Sequence, residues 1–189
     1  KERCIDCGEC IRVCPHHAKY ASSDSLDMIN EYKYKIALPA PALYGQFHNL
    51  DDINIILNAF SSLGFDAVFE VSKAAELISE ATRRYLSKPG IKKPLISSAC
   101  PAVVRLITVC FPELIDNIFT VNAPVEEAGR LAREKAVKKT GLNPEEIGVF
   151  FITPCPAKIT SFKNPIGVNK SNIDGAIAIN EIYPSLLKA

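Results

Sequence analysis

From residue 35 onward the chain alternates short apolar runs with longer stretches in which apolar residues recur every three or four positions. The runs Lys35–Pro39, Ala67–Val71, Pro94–Ser98, Gly148–Thr153 and Gly175–Ile179 predict strands, and their nearly unbroken apolar character predicts burial on both faces. Helical patterns lie between them. Asp51–Leu63 places apolar residues at 53, 56, 57 and 60 and stops at Gly64. Ser72–Ser87 begins with a capping serine and lines up 74, 77, 78, 81 and 85. Pro124–Thr140 opens on proline, carries Glu126 and Glu127 in its first turn, and ends in lysines before Gly141. Asn143-Pro144-Glu145-Glu146 reads as a single helical turn, and Leu26–Tyr34 as a short helix capped by Asp24 or Ser25. Strands joined by helical connections of this length make β-α-β units, so the fold class is α/β with a largely parallel sheet flanked by helices.

Composition narrows the function classes. The 189 residues hold 22 basic and 21 acidic side chains for a net charge of +1, and the charges are interspersed. The longest basic cluster, Lys135 to Lys139, belongs to a helix surface, so no nucleic acid is expected as a partner. No apolar run approaches the roughly 18 residues that cross a bilayer, and no signal-peptide pattern precedes the first motif, so no membrane is expected either. An apolar content of 48% with dispersed Gly and Pro excludes a disordered chain. The sequence starts at Lys1 rather than Met, which leads us to expect a piece of a longer protein.

The cysteines carry the strongest signal. Cys4, Cys7, Cys10 and Cys14 fall within eleven residues and are followed by Pro15, giving C-x2-C-x2-C-x3-C-P, the bacterial ferredoxin run for a 4Fe-4S cluster. Closely spaced thiolates wrap the corners of a compact cluster, whereas a disulfide framework spreads its cysteines, and seven is an odd number. Zinc is the alternative, though its sites pair two separated C-x2-C knuckles. In two-cluster ferredoxins the fourth cysteine ligates the other cluster. Either Cys14 closes the local cluster or its partners lie upstream of Lys1. Residues 1–22 are expected to form a small ferredoxin-like 4Fe-4S segment, and 23–189 an α/β lobe that is expected to be incomplete. An intact thiolate cluster implies a reducing compartment, with the cytoplasm as the default.

Three strand ends echo one another: Leu38-Pro39-Ala40-Pro41, Ser98-Ala99-Cys100-Pro101 and Thr153-Pro154-Cys155-Pro156. Ligands bind outside the carboxyl ends of strands in open α/β sheets, so Cys100 and Cys155 are candidate ligands of a shared metal centre. Free cysteine also packs as a small buried hydrophobe, and that is the reading for Cys110, in the helical context Val103–Val109. No G-x-G-x-x-G or G-x-x-x-x-G-K motif supports nucleotide binding. His16, His17 and His48 read as surface residues, and no Ser–His–Asp or Cys–His arrangement stands out.

These residues resemble the iron-only hydrogenase large-subunit family, from the ferredoxin run to the last residue. The family's T-S-C-C-P-x-W appears as Ser97-Ser98-Ala99-Cys100-Pro101-Ala102-Val103, and its M-P-C-x-x-K-x-x-E as Thr153-Pro154-Cys155-Pro156-Ala157-Lys158-Ile159-Thr160-Ser161. Gly64–Phe69 and Ala75-Glu76-Leu77 are also similar to stretches of that family. The resemblance implies a di-iron centre with CO and cyanide ligands, joined to a 4Fe-4S cubane and held by four cysteines. Cys100 and Cys155 match the first two, and Lys158 matches the basic residue beside the cyanide. The remaining two belong to an E-x-x-x-C-x-x-G-C motif that does not occur here. The complete hydrogenase-type centre is therefore expected only in the full-length matured parent, and this segment alone is expected to be inactive.

Departures from the family pattern bear on activity. The relay thiol is Ala99, the serine of the family's S-P-Q-Q is Ala123, and, of two relay carboxylates, Glu80 is kept while the other becomes Arg83. Thr153, Ser161 and Val103 also replace the family's Met, Glu and Trp. A methyl group passes no proton and a guanidinium is no shuttle. Family members with alanine at the relay thiol include sensory ones, which this pattern resembles more than it does hydrogen producers. The expected function is a sensory or slow hydrogenase-like oxidoreductase with electron transfer through the N-terminal cluster; the alternatives are a non-catalytic electron-transfer module and a protein whose metal is purely structural. Expected partners are a redox protein or an attached sensory or output domain, with hydrogen or protons as the small ligand.

Overall fold

A computed structural model describes residues 3–48, 51–165 and 170–189. The elements run α1 (Glu9–Arg12), β1 (Tyr34–Pro39), α2 (Asn54–Ser62), β2 (Ala67–Val68), α3 (Val71–Leu86), α4 (Pro101–Cys110), α5 (Pro124–Thr140), β3 (Ile147–Thr153), α6 (Pro156–Lys163), β4 (Gly175–Ala178) and α7 (Ile179–Leu186). Short 3-10 turns at Leu26–Glu31, Pro41–Gln46, Pro112–Asn117 and Pro144–Glu146 fill the joints. The strands pair in parallel in the order β2-β1-β3-β4, with Tyr34–Pro39 in register with Ile147–Ile152.

Alternation along β1 and β3 builds the two sides of the core. Ile36, Leu38, Ile147, Val149 and Phe151 face α3 and α5, while Ala37, Phe150 and Ile152 face α2 and α7. Both faces are buried, as the unbroken apolar runs imply. The helix after β1 lies on one face, and α6, after β3, sends Phe162 into the other. The carboxyl edge between β1 and β3 is therefore the switch point of the sheet.

Helix boundaries follow local chemistry. Ser25 accepts the Asp27 amide at the start of the first 3-10 turn, and Asn143 with Glu146 forms a capping box. Gly141 ends α5 at φ 72°, a left-handed conformation that glycine adopts without a Cβ penalty. Arg133 ties α5 to the strands: it donates to the carbonyls of Pro144, Ile147 and Asn172 and pairs with Asp174 at 2.6 Å.

Two strand expectations need correction. Ala67–Val71 shortens to Ala67–Val68, because Val71 already opens α3 with Glu70 as its N-cap. Pro94–Ser98 holds one isolated bridge, at Ile96, and is not a strand of the sheet. Its partners come from residues 117–121: Ile96 bridges Ile118, Phe119 donates to Ile96, Asn117 to Pro94 and Ser98 to Val121. Among the described residues, no helix is long and apolar enough to cross a membrane.

Candidate metal centre

The cysteine run folds as one surface loop around the single turn α1. Asp6 (φ 55°) and Gly8 (φ 82°) both take the left-handed conformation that coils the chain between Cys4 and Cys10. Asp is among the few side chains that tolerate it. Gly8 caps α1, its carbonyl accepting the Ile11 and Arg12 amides, and Arg12 clasps Glu9 at 2.6–2.9 Å. Cys4, Cys7 and Cys10 are exposed thiols and Cys14 is half-buried. The backbone amide of Ala18, then that of His16, holds the Cys14 thiol below its ordinary value, which favours the thiolate.

The loop is seated on the lobe at two places. A Cβ built on Gly8 would lie 2.7 Å from Pro156 Cγ, so the loop backbone rests on the residue after Cys155. Asp6 Oδ2 lies 2.8 Å from Arg105 Nη1, and Asp6 Oδ1 accepts a 3.4 Å hydrogen bond from Cys4 Sγ. Beyond the loop, Asp24 runs beside β4: its amide donates to the Ala176 carbonyl, its carboxylate accepts the Ala176 amide and it pairs with Lys163 at 2.8 Å.

Cys100 and Cys155 occupy equivalent positions. Each is a helix N-cap with nearly the same backbone, φ −106° and ψ 108° against φ −96° and ψ 111°, and each is followed by proline. Their carbonyls accept the first helical hydrogen bonds, from Val104 at 3.1 Å and from Lys158 and Ile159 at 3.1 Å. The positive ends of α4 and α6 therefore stand beside the two thiols. Cys155 follows β3 at the switch-point edge, and buried Thr153 accepts its amide at 3.2 Å. Lys158 is half-buried in the first turn of α6, and Ser161 donates to its carbonyl.

Ala99 borders a small, largely apolar cavity of about 140 Å³ lined by Ile78, Thr82, Leu86, Phe119 and Asn122. Glu80 lies instead on the open groove beside Pro41, where Arg83 and Arg84 bind its carboxylate at 2.6–2.9 Å. Ala123 is the N-cap of α5. Cys110 is exposed at the end of α4, which corrects the buried-core reading: only Ile107 of that helix is buried.

Four free thiols in one loop match a 4Fe-4S cluster in number and in softness. Among the described residues no three His, Cys, Asp or Glu side chains converge on a single ion, so the fit rests on the donor set. Two thiols at equivalent helix starts match part of a second thiolate site. The contacts of Asp6 with Arg105 and of Gly8 with Pro156 were not foreseen from the sequence, since no spacing rule connects such distant residues. An acidic side chain inside the cysteine run was the one available hint.

Residues 33–189 match the model described as iron-only hydrogenase large subunit, C-terminal domain, and residues 1–20 match a 4Fe-4S binding domain. The NADP-reducing hydrogenase subunit HndD of Solidesulfovibrio fructosivorans is 28% identical over 177 residues, covering 82% of this chain and 30% of that protein. The cytosolic Fe-S cluster assembly factor nar1 of Aspergillus flavus is 25% identical over 133 residues, covering 69% of this chain and 23% of the relative. The chain thus spans less than a third of either relative. A solved structure of HydA1, a hydrogenase from Chlamydomonas reinhardtii, superposes with a TM-score of 0.70 at 19% identity, over 86% of this chain and 46% of that one. The last likeness shows the shared α/β fold.

Proposed function

The chain belongs to the iron-only hydrogenase large-subunit family, and on that footing we propose that the full-length protein is a sensory or slow hydrogenase-like oxidoreductase. Its cofactors are a 4Fe-4S cluster and a hydrogenase-type iron-sulfur centre. When bound, these groups supply one-electron storage and a site at which hydrogen meets iron.

In this reading Cys4, Cys7, Cys10 and Cys14 hold the N-terminal cluster. Cys100 and Cys155 provide two thiolates of the second centre, held at the starts of α4 and α6. Lys158, one turn after Cys155, supplies a cation beside it. Gly8 on Pro156 and Asp6 on Arg105 keep the cysteine loop next to the second site, the proximity that outer-sphere electron transfer requires. The redox partner and the compartment, a reducing cytoplasm, belong to the same proposal.

The surroundings of Ala99 carry the sensory or slow assignment. General acid–base catalysis needs a proton acceptor within hydrogen-bond reach, about 3 Å, or one water away. Here a methyl group stands at the relay-thiol position, beside a cavity whose polar lining is the neutral side chains of Thr82, Ser97, Ser98 and Asn122, and Glu80 is bound to two arginines on a separate groove. The same observation favours a second reading, an electron-transfer module without hydrogen chemistry, and similarity to an Fe-S cluster assembly factor supports it too. Hydrogen–deuterium exchange catalysed by the full-length, anaerobically matured protein tests both. Slow exchange supports the first reading, fast turnover contradicts it, and no exchange despite intact clusters supports the second.

A further inference from the structure

One side chain makes the charged contact between the cysteine loop and the lobe. Arg105 lies on α4, just past Cys100, and its Nη1 stands 2.8 Å from Asp6 Oδ2 with both side chains 24% exposed. Its Nη2 donates to the carbonyl of Asn164, which ends α6, at 3.4 Å. A single guanidinium therefore joins the helix after Cys100, the helix after Cys155 and the loop between Cys4 and Cys7. Among the described residues, no other salt bridge links residues 3–21 to the rest of the chain. Arginine suits the role because its planar fork serves two acceptors at once and never loses its charge.

Asp6 gives this contact electrostatic weight. A carboxylate among four thiolates opposes the addition of another negative charge, and an adjacent cation offsets it. We propose that Arg105 is a positioning residue for the N-terminal iron-sulfur cluster: it clamps the Asp6 loop against α4, the helix that follows Cys100, and the end of α6, the helix that follows Cys155, and it offsets the Asp6 charge so that the cluster takes up an electron more readily. The proposal rests on the reading of Cys4, Cys7, Cys10 and Cys14 as cluster ligands. The step is a reversible one-electron reduction of the cluster by an external low-potential donor, and no protein bond forms or breaks.

Clamp and charge give different signatures. Losing either partner frees the loop, so the Arg105→Gln and Asp6→Asn variants should both speed amide hydrogen exchange across residues 5–12. The charges act in opposite directions. Arg105→Gln leaves Asp6 unpaired and should lower the reduced-to-oxidised ratio at a fixed potential about tenfold, equivalent to 59 mV for one electron. Asp6→Asn should raise that ratio by a similar factor. Loosened packing alone would move both variants the same way.

The test is a dithionite titration followed by electron paramagnetic resonance, with hydrogen exchange in parallel, on the full-length protein loaded with clusters anaerobically. Opposite shifts in the single variants, a near wild-type redox ratio in the double variant and in Arg105→Lys, and faster exchange of the loop amides in both single variants and the double variant are expected. Shifts of the same sign, no shift, or unchanged exchange would overturn the proposal. If Arg105→Gln does not fold, Asp6→Asn on the surface loop decides alone, since a ratio that fails to rise contradicts the charge role. A wild type without any 4Fe-4S signal would overturn the cluster reading itself, and the proposal with it.

Discussion

Gly8 of the cysteine loop rests directly on Pro156, the residue after Cys155, with room for no side chain between them: a Cβ there would lie 2.7 Å from the proline Cγ. The position also requires φ 82°. Gly8→Ala therefore meets both a clash and a left-handed backbone penalty of about 1–2 kcal/mol. The loop should lift from the lobe while the sheet is untouched. Faster loss of the cluster's visible absorbance in air, with unchanged thermal unfolding of the lobe, is the expected result.

The cysteines should separate by role. Cys7→Ala should remove most of the N-terminal cluster's iron, about four per chain in the intact site. Cys110→Ser, exposed at the end of α4, should leave iron, sulfide and stability unchanged to within about 0.5 kcal/mol. Iron and acid-labile sulfide analysis beside a denaturation curve checks both.

Much of this architecture was legible because the signals are local. The ferredoxin spacing marks Cys4 to Cys14, and the buried runs of β1 and β3 announce a parallel sheet. Pro124 and Gly141 bracket α5 as the capping rules require. The approach to Cys100 departs from its strand expectation for a nonlocal reason. Pro94–Ser98 has strand-like composition, but Asn117 and Val121 supply its hydrogen bonds, and only the folded chain reveals that pairing. Apolar neighbours at 103, 104, 106 and 107 imply burial for Cys110, whereas the cysteine is exposed at the end of its helix. Arg105 was silent in the sequence, since its partners Asp6 and Asn164 come from distant segments.

Restoring the relay thiol tests the explanation for slow chemistry. Ala99→Cys should raise hydrogen turnover in the full-length matured protein, and adding Ala123→Ser should raise it further, because each replaces a methyl group with a proton-carrying side chain. Turnover that stays at the wild-type level in the double variant would contradict a missing relay as the cause.

Tyr44 gives the lobe an alkaline pH dependence. Its hydroxyl is buried without a hydrogen-bond partner among the described residues, and burial, aided by Glu70, raises its pKa from 10 to about 12. A raised folded value means that this contribution to stability is complete below pH 10 and lost as pH climbs through about 12. Tyr44→Phe should flatten stability across that window and leave neutral-pH stability equal or higher, because an unpaired hydroxyl is removed. Urea denaturation at pH 8 and at successive values above 10 measures the difference.

Infrared spectroscopy of the full-length protein, produced anaerobically with the hydrogenase maturation machinery, tests the hydrogenase-type centre most directly. Carbonyl and cyanide stretching bands, lost when Cys100 or Cys155 is replaced by alanine, are the predicted result. A spectrum without those bands from protein whose 4Fe-4S content is intact would contradict it.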